Sequence, residues 1–600
     1  FAGSAASQSF PGASGTITAM NNLEIKNSNG ITLDKSFAIT GSLIPTAGNI
    51  NINNAIIPRR STVNGTASVT AIQPGASLSS TGTGEFMVER FINTGTNTGE
   101  HAKTWQFLAT PTTGQTIRQA WQENGTTPAG FGTIITGTGT GFDITTALPS
   151  LKFFNDAAVN WTAVTNTNTA LQQKLGYMLF VRGDRTVTTS GAAPNNTILR
   201  SKGTLFQPSN PPPSVAVVAN KFQTFGNPYA SRIEFSKVRA ASTGINDVFY
   251  VWDPKLAGNY NVGGYQTITG LAGYIPTVGT PPTGNPATDF YPAGVPSPYI
   301  ESGQAVFVKG NGTGGNVNFN ESVKADGSRL VNRPGTTNNE LANRGFIFAS
   351  LFTHTGNIAD GNIVAFEEGL GNELNELDAL KIMNSGENFG IIRSDSLLAV
   401  EARNRVMSND TIFYHLQNLK KLPYQFRFAP VNMRSGGLHA YLIDRFNNIS
   451  TEVSMTDSSF INFTITEDER SQAADRFILV FKKQKQVPVK PKTPKEAQEV
   501  ARNTDASGDE TIQTNASITV YPNPVVDQQI NIRFSNMSKG NYRIELSNKQ
   551  GQVVYTGSKY IDQQHITHTI KLNSVLASGS YQLSVVAEDG KKLVETVIVP

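Results

Sequence analysis

The sequence has no cysteine, only 16% charged residues and no run of eighteen apolar residues. Without cysteine the chain forms no disulfide bond and no thiolate metal site, so its stability has to come from packing. Without a long apolar run, no segment is predicted to cross a membrane as a helix. A 3.6-residue apolar period is nearly absent as well, and only the segment from Asn372 to Met383 has one that fits a helix.

Residues that carry catalysis or bind metals are also scarce. Of the six histidines, only His565 and His568 are near each other, and an offset of three places them on opposite faces of a strand. No nucleophile elbow, phosphate-binding glycine loop or calcium loop occurs. The net charge is +4, without a basic stripe that contains aromatic residues. We therefore predict no catalytic residue, no metal site, no cofactor and no nucleic-acid partner.

The sequence is rich in turn residues, with 55 glycines and 30 prolines, and in short alternating apolar runs such as GYMLFV and YRIELS. This pattern is typical of half-buried strands. We predict an all-β protein with a β-solenoid-like or irregular N-terminal segment, several β-sandwich-like domains in tandem and a C-terminal Ig-like seven-stranded sandwich. The predicted segments are 1–84 (solenoid-like or stalk), 85–210 and 211–340 (two β domains), 341–482 (β-sandwich), 483–516 (flexible charged linker) and 517–600 (C-terminal domain).

The first 84 residues contain apolar residues at every second position in short bursts, separated by Asn, Gly and Ser. This favours the last coils of a β-solenoid over a loosely ordered stalk. The chain begins at Phe1 rather than Met, which indicates a processed start whose export signal has been removed. Because solenoid coils are stable only when stacked, we expect a larger N-terminal part to precede them.

The middle of the chain contains what we interpret as an internal duplication. In each copy a strand opens into a proline-containing turn, an aromatic strand ends in Asp, and a glycine-led strand ends in a basic residue and Gly. The order is the same while the loops differ in length, as in two diverged β domains. The matching segments are WQFLATP (105–111), LKFFND (151–156) and LGYMLFVRGD (175–184) in the first copy, and FQTFGNPY (222–229), VFYVWDP (248–254) and SGQAVFVKGN (302–311) in the second.

The last 84 residues contain seven strand-like segments separated by glycine turns. The first segment runs into Tyr-Pro-Asn-Pro, where two prolines remove backbone donors, so the strand has to end or bend there. The pair Asp589-Gly590 favours a two-residue primed turn. These features predict a small Ig-like sandwich.

The same segments resemble the type A sorting domain of type IX secretion cargo in Bacteroidota. In that family Tyr-Pro-Asn-Pro opens the domain, a Gly-x-Tyr strand leads to a glycine turn, and a Ser-Gly-x-Tyr strand leads to an Asp-Gly-Lys hairpin. All three occur here in that order, over about residues 518–600. The resemblance implies that the sorting signal includes Tyr521, Pro522, Asn523, Pro524, Gly540, Tyr542, Gly551, Gly579, Tyr581, Asp589, Gly590 and Lys591.

The resemblance also implies partners. These are the outer-membrane translocon and a shuttle protein that collects cargo, and in many family members a sortase-like protease that transfers the cargo to anionic lipopolysaccharide. Residues 85–482 are similar to uncharacterised surface proteins that carry this domain. Ser396 and Thr411 fit the Asp-Ser/Thr-apolar pattern on which Bacteroidota O-glycosylate exported proteins. We therefore name them as candidate O-glycosylation sites.

Two other motifs have ordinary structural explanations. The adjacent acids Glu367 and Glu368 fit a solvated face better than a glycosidase pair. The tripeptide Arg182 to Asp184 reads Arg-Gly-Asp, but a strand that ends in a charged turn explains it equally well. We therefore expect a non-enzymatic, adhesin-like cargo protein at the cell surface or outside the cell, with glycans among its ligands. The alternatives are a secreted polysaccharide-degrading enzyme or carbohydrate-binding accessory protein, and a gliding or filament subunit.

Overall fold

The chain folds into two compact units, Phe1–Gln486 and Val487–Pro600. The computed structural model confirms the predicted all-β class. Within the described residues, no helix is long and apolar enough to span a bilayer. The predicted boundaries at 84, 210 and 340 stay a prediction, and the linker 483–516 lies outside the described residues except at its two ends. The structure describes residues 1–3, 8–10, 17–97, 99–156, 158–278, 298–326, 344–433, 436–483 and 516–599, without 527–528, 536, 549, 562–564, 573–575 and 588–589.

The N-terminal segment forms three parallel sheets, which the chain visits in the same order in every coil. Every second side chain points inward, so Ile50 and Ile52 are fully buried while Asn49, Asn51 and Asn53 face outward. This stacking of parallel strands is the arrangement of a β-solenoid. Its strands are Gln8–Phe10, Ile31–Leu33, Gly48–Asn53 and Ala76–Thr81 in one sheet, Ala19–Met20, Ala38–Ile39, Ile56–Arg59 and Glu85–Ile92 in the second, and Leu23–Ile25, Ser42–Pro45 and Ser68–Val69 in the third, with a small hairpin of Ser61–Thr62 and Gly65–Thr66.

The two predicted repeat copies contain antiparallel four-stranded sheets with the same strand order. In each sheet the third strand in sequence forms a hairpin with the second, and the fourth lies between the first and the second. The sheets share one core, in which Phe307 of the second sheet contacts Phe107 and Phe154 of the first. In spatial order the strands are Thr104–Leu108, Tyr177–Val181, Leu151–Asn155 and Asn160–Ala163, and Phe222–Gly226, Ala305–Gly310, Ile245–Asp253 and Gly264–Thr269.

Shorter elements surround these two sheets. The strand Thr197–Leu205 pairs with the last strand of the solenoid, Glu85–Ile92, and so joins the solenoid to the first repeat copy. The other strands are Thr112–Thr113, Thr136–Gly137, Ile144–Thr145, Ser214–Val217, Ile233–Glu234, Tyr299–Ile300 and Gly315–Asn318. The described helices are Ile117–Ala120 and Phe235–Ala241, with single 3-10 turns at Glu123–Gly125, Gly270–Ala272, Glu321–Val323 and Glu469–Gln472.

Residues 345–483 form one continuous sheet of eleven strands. Its inward face encloses a single core rich in aromatic side chains, so the two facing layers of the predicted sandwich are two parts of one near-closed sheet. In spatial order the strands are Ile449–Val453, Leu438–Asp444, Phe477–Lys483, Thr411–Gln417, Asn388–Arg393, Ser396–Arg403, Ile358–Phe366, Gly345–Thr353, Pro423–Val431 and Ser459–Thr464, with Ala379–Leu380 beside Ser396–Arg403.

The helix expected between Asn372 and Met383 is wrong. Residues 372–378 form a loop, the short strand Ala379–Leu380 follows, and residues 381–383 have no regular secondary structure. The side chain of Asn375 accepts a hydrogen bond from the Leu377 N–H, and Asp378 accepts one from the Asn375 N–H. Side chains that bond nearby backbone groups compete with the helical hydrogen-bond pattern, which explains the loop.

The C-terminal unit is a sandwich of a three-stranded and a four-stranded antiparallel sheet around one apolar core. All seven strands predicted from the sequence are present. They are Ser517–Val526, Gln529–Ser535 and His565–Lys571 in the first sheet, and Val553–Ile561, Gly540–Ser547, Gly579–Ala587 and Lys592–Val599 in the second.

Candidate functional site

The Tyr-Pro-Asn-Pro motif lies inside the first strand of the C-terminal unit, at a break in its ladder. The strand pairs regularly with Gln529–Ser535 up to Tyr521, and pairing resumes only at Val526, which lies opposite Gln529. Four residues, 522–525, therefore face the single residue Ile530. Proline has no backbone N–H to donate, so a bulge is where two prolines fit in a paired strand. Val525, the residue after the motif, is buried in the core.

The two Gly-x-Tyr motifs form the same local structure. Each glycine begins a strand, and each tyrosine two residues later is buried. The Tyr542 hydroxyl donates to the Ser538 carbonyl over 2.8 Å, and the Tyr581 hydroxyl donates to the Ala577 carbonyl over 2.9 Å. In both cases the acceptor lies four residues upstream. Each tyrosine therefore fixes the chain at the entry to its strand, as a tyrosine corner does.

The two glycine turns also share one geometry. The Gly551 N–H donates to the Asn548 carbonyl and the Gly590 N–H to the Ala587 carbonyl, each over 3.0 Å. Both glycines have positive φ, 81° and 84°. The Ala587 N–H donates to the Lys591 carbonyl over 2.9 Å. The primed two-residue turn predicted for Asp589-Gly590 stays a prediction, because residues 588 and 589 lie outside the described residues.

The candidate O-glycosylation sites both follow left-handed residues at strand starts. Ser396 is half-buried and pairs with Arg393 across a hairpin whose turn residues, Ser394 and Asp395, have positive φ. Thr411 is also half-buried, and its hydroxyl donates to the Asn409 carbonyl over 3.4 Å. Modification of these residues stays a prediction.

The acidic motifs named from the sequence take part in ion pairs or in turns. Glu367 binds Arg344 and Glu368 binds Arg405. Asp184 of the Arg-Gly-Asp tripeptide is buried, and its carboxylate accepts hydrogen bonds from the N–H groups of Gly130 and Thr186. In the part of the chain that the structure describes, no three His, Asp or Glu residues come together in a way that suits a metal ion.

One surface was not found from the sequence, a ladder of amide and hydroxyl side chains on the outer face of the solenoid. The Asn49 amide donates to the Ser79 hydroxyl over 2.8 Å, and the Ser79 hydroxyl donates to the Asn51 amide oxygen over 3.2 Å. Asn51 in turn donates to the Thr81 hydroxyl over 3.0 Å. The polar ladder comprises Asn49, Asn51, Asn53, Ser77, Ser79 and Thr81. The signal was present as the alternation of these residues with buried Ile50, Ile52 and Leu78.

The comparison with known families covers both units. Residues 13–481 match the family described as "Domain of unknown function (DUF8693)". The chain belongs to this family. The family's description assigns no activity to its members. Residues 519–600 match the family described as "Secretion system C-terminal sorting domain", which confirms the resemblance inferred from the sequence.

This DUF8693 protein is therefore a cargo of the type IX secretion system. Its C-terminal unit is the sorting domain, which directs export across the outer membrane to the cell surface or the extracellular space and interacts with the secretion machinery. That the secretion machinery recognises these motif residues stays a prediction.

Other comparisons add little. No curated protein matches the chain. Among solved structures, one titled "Crystal structure of putative beta-galactosidase from bacteroides fragilis" has 14% sequence identity and a TM-score of 0.12. The match covers 37% of this chain and only 41% of that protein. A likeness of this size says nothing about the fold or activity of this protein.

Proposed function

We propose that residues 1–483, once exported, act as a non-enzymatic, adhesin-like protein that binds neutral glycans at the cell surface. The polar ladder is the observation that carries this proposal. Its outward amides and hydroxyls lie on a parallel sheet whose inward residues, such as Ile52, are fully buried. The ladder is therefore held in place by the solenoid core.

The chemistry of the ladder suits a ligand rich in hydroxyl groups. Amides and hydroxyls offer donors and acceptors side by side, and those of Asn51 and Ser79 are already oriented by their mutual hydrogen bond. A surface ordered before binding loses little side-chain entropy when a ligand binds. Since the ladder carries no formal charge, the bound glycan is expected to be neutral and its binding insensitive to salt.

For export we propose the partners that the sorting domain implies. The translocon and its shuttle protein bind the sandwich, and a sortase-like protease cleaves within 483–516 and transfers the cargo to anionic lipopolysaccharide. The motif residues described above support this proposal through structure, because Tyr542, Tyr581 and Gly590 set the entry points and turns of the four-stranded sheet. Retention of residues 516–600 on mature surface protein, measured by mass spectrometry, would contradict the cleavage step.

The glycan proposal is tested with the full chain on immobilised neutral polysaccharides, namely dextran, cellulose and chitin. In the Ser79→Arg variant a long charged side chain replaces a hydroxyl in the middle of the ladder, so we expect a loss of binding of about tenfold or more, corresponding to ~1.4 kcal/mol. The matched control is Ser450→Arg on the exposed strand Ile449–Val453 of the eleven-stranded sheet, which should bind like the wild type. Equal binding by both variants, or none by the wild type, would contradict the proposal.

A further inference from the structure

A lysine and an aspartate form a fully buried pair inside the eleven-stranded sheet. The Lys381 Nζ lies 2.6 Å from Asp360 Oδ2, and the two side chains are 3% and 1% exposed. Asp360 comes from the strand Ile358–Phe366, and Lys381 directly follows Ala379–Leu380. Both side chains are almost completely shielded from solvent, so the pair has lost most of the hydration of both charges.

Backbone donors surround the carboxyl group of Asp360. The Phe389 N–H donates to Oδ2 over 2.6 Å, and the Gly361 N–H donates to Oδ1 over 2.9 Å. The lysine stem passes over Gly390, where a Cβ would lie only 3.0 Å from Lys381 Cδ. Strand packing and backbone hydrogen bonds therefore hold the amine and the carboxyl in contact.

This environment favours the uncharged form of the Asp360 carboxyl group. Burial raises the pKa of Asp360, and the nearby Lys381 ammonium acts in the opposite direction. Transfer of one proton from the ammonium to the carboxylate removes both buried charges at once and leaves a neutral amine beside a carboxylic acid. A desolvated neutral lysine is a nucleophile, and backbone N–H groups on a carboxyl oxygen stabilise the charge that develops there during attack.

We propose that Lys381 and Asp360 condense into an intramolecular amide cross-link between their side chains. The Nζ lone pair attacks Asp360 Cγ, and a bond forms between Nζ and Cγ. The bond from Cγ to one carboxyl oxygen breaks, and a proton that moves from Nζ to that oxygen allows it to leave as water. The other oxygen remains as the amide carbonyl. The step needs no oxidant, reductant or co-reactant, because the acid and the amine are both present.

The experiment is the intact mass of the purified full chain under denaturing conditions, followed by tryptic peptide mapping. We expect a mass about 18 Da below the sequence mass, equal to one water, and a branched peptide that joins the two residues. Trypsin should fail to cleave after Lys381, since its amine is part of the amide. This readout does not depend on the stability of any variant.

Two variants sharpen the test. Lys381→Arg keeps the positive charge but removes the amine, so its chain should have the full sequence mass. The matched control is Lys324→Arg, at another buried lysine whose Nζ lies 2.8 Å from Glu321 Oε2, and it should keep the mass deficit. A wild-type chain of full mass that is cleaved after Lys381 would overturn the proposal, as would a mass deficit that maps to another pair of residues.

Discussion

The two units of the molecule satisfy their buried polar groups in different ways. In the described part of the sorting domain no charged side chain is buried, and the two buried tyrosines bond to backbone carbonyls four residues away. The eleven-stranded sheet instead contains the buried guanidinium of Arg476, whose ion-pair partner Asp444 lies 32 residues away in the sequence. The sorting domain thus depends on packing and turns, whereas the sheet also depends on ion pairs and therefore on pH.

The largest effect is expected at Arg476, which lies between the two ends of the eleven-stranded sheet. Its guanidinium is 0% exposed, makes a bidentate ion pair with Asp444, and donates to the Thr464 carbonyl over 2.9 Å. Asp444 ends the strand beside one edge strand, and Thr464 ends the other edge strand. The variant Arg476→Met leaves the Asp444 carboxylate without this partner. We therefore expect the free energy of unfolding to fall by about 3–5 kcal/mol.

A control for this change is Arg445, the residue that directly follows Asp444. Arg445 pairs with Asp475, but the two side chains are 40% and 78% exposed. An exposed pair contributes little, so Arg445→Met should cost at most about 1 kcal/mol in chemical denaturation. Equal losses in the two variants would show that the bidentate pair does not hold the sheet edges together.

A smaller, pH-dependent effect is expected at Glu401. Burial raises the pKa of this carboxyl to about 7, despite the Arg403 and Arg393 guanidinium groups beside it, while Asp378 and Asp410 raise it further. Between about pH 4.5 and 7 the folded chain therefore holds a proton that the unfolded chain has lost, so stability falls as the pH rises through this window. The size of this pKa shift implies that the ionised Glu401 carboxylate lowers the free energy of unfolding by at most about 3 kcal/mol above pH 7.

The variant Glu401→Gln removes this titration and keeps the size of the side chain. Its stability relative to the wild type should therefore rise between pH 5 and pH 8, as measured by denaturation at both pH values. Glu368→Gln is the control, because Glu368 is 78% exposed and should show no such change. A pH-independent difference for Glu401→Gln would contradict the assignment of the buried proton.

The smallest effect belongs to the sorting domain. Tyr542→Phe or Tyr581→Phe removes one hydroxyl and leaves the ring in place, so each should cost about 1 kcal/mol. Hydrogen–deuterium exchange should be faster within 516–599 than in the wild type, and the exchange rates in the eleven-stranded sheet should not change. Tyr560→Phe, at a residue that is 50% exposed, should have no effect. A larger loss of protection from exchange in the eleven-stranded sheet than in residues 516–599 would contradict the contrast between the two units.

The sequence was most informative where structure follows from local pattern. All seven strands of the sorting domain alternate clearly, and the bulge at Pro522 and Pro524 follows from their missing donors. The helix expected between Asn372 and Met383 failed because the side chains of Asn375 and Asp378 accept hydrogen bonds from nearby backbone N–H groups. An apolar period alone does not reveal this competition with the helical hydrogen bonds.

The buried ion pairs were beyond prediction for a different reason. Asp444 and Arg476 are 32 residues apart and meet only because a continuous sheet curls round one core. Nothing in the neighbouring residues of either one indicates a partner, and charged residues are mostly exposed. The polar ladder, by contrast, was visible as an alternation, but its hydrogen bonds require knowledge of which coil lies beside which.

Localisation in a Bacteroidota host tests whether the C-terminal unit directs export of residues 1–483. The full chain is compared with a chain truncated after Asn515, with a host that lacks the type IX translocon as the control. We expect the truncated chain to stay in the periplasm, as the full chain does in the control host. Arrival of the truncated chain at the cell surface would contradict the assignment of residues 516–600 as the export signal.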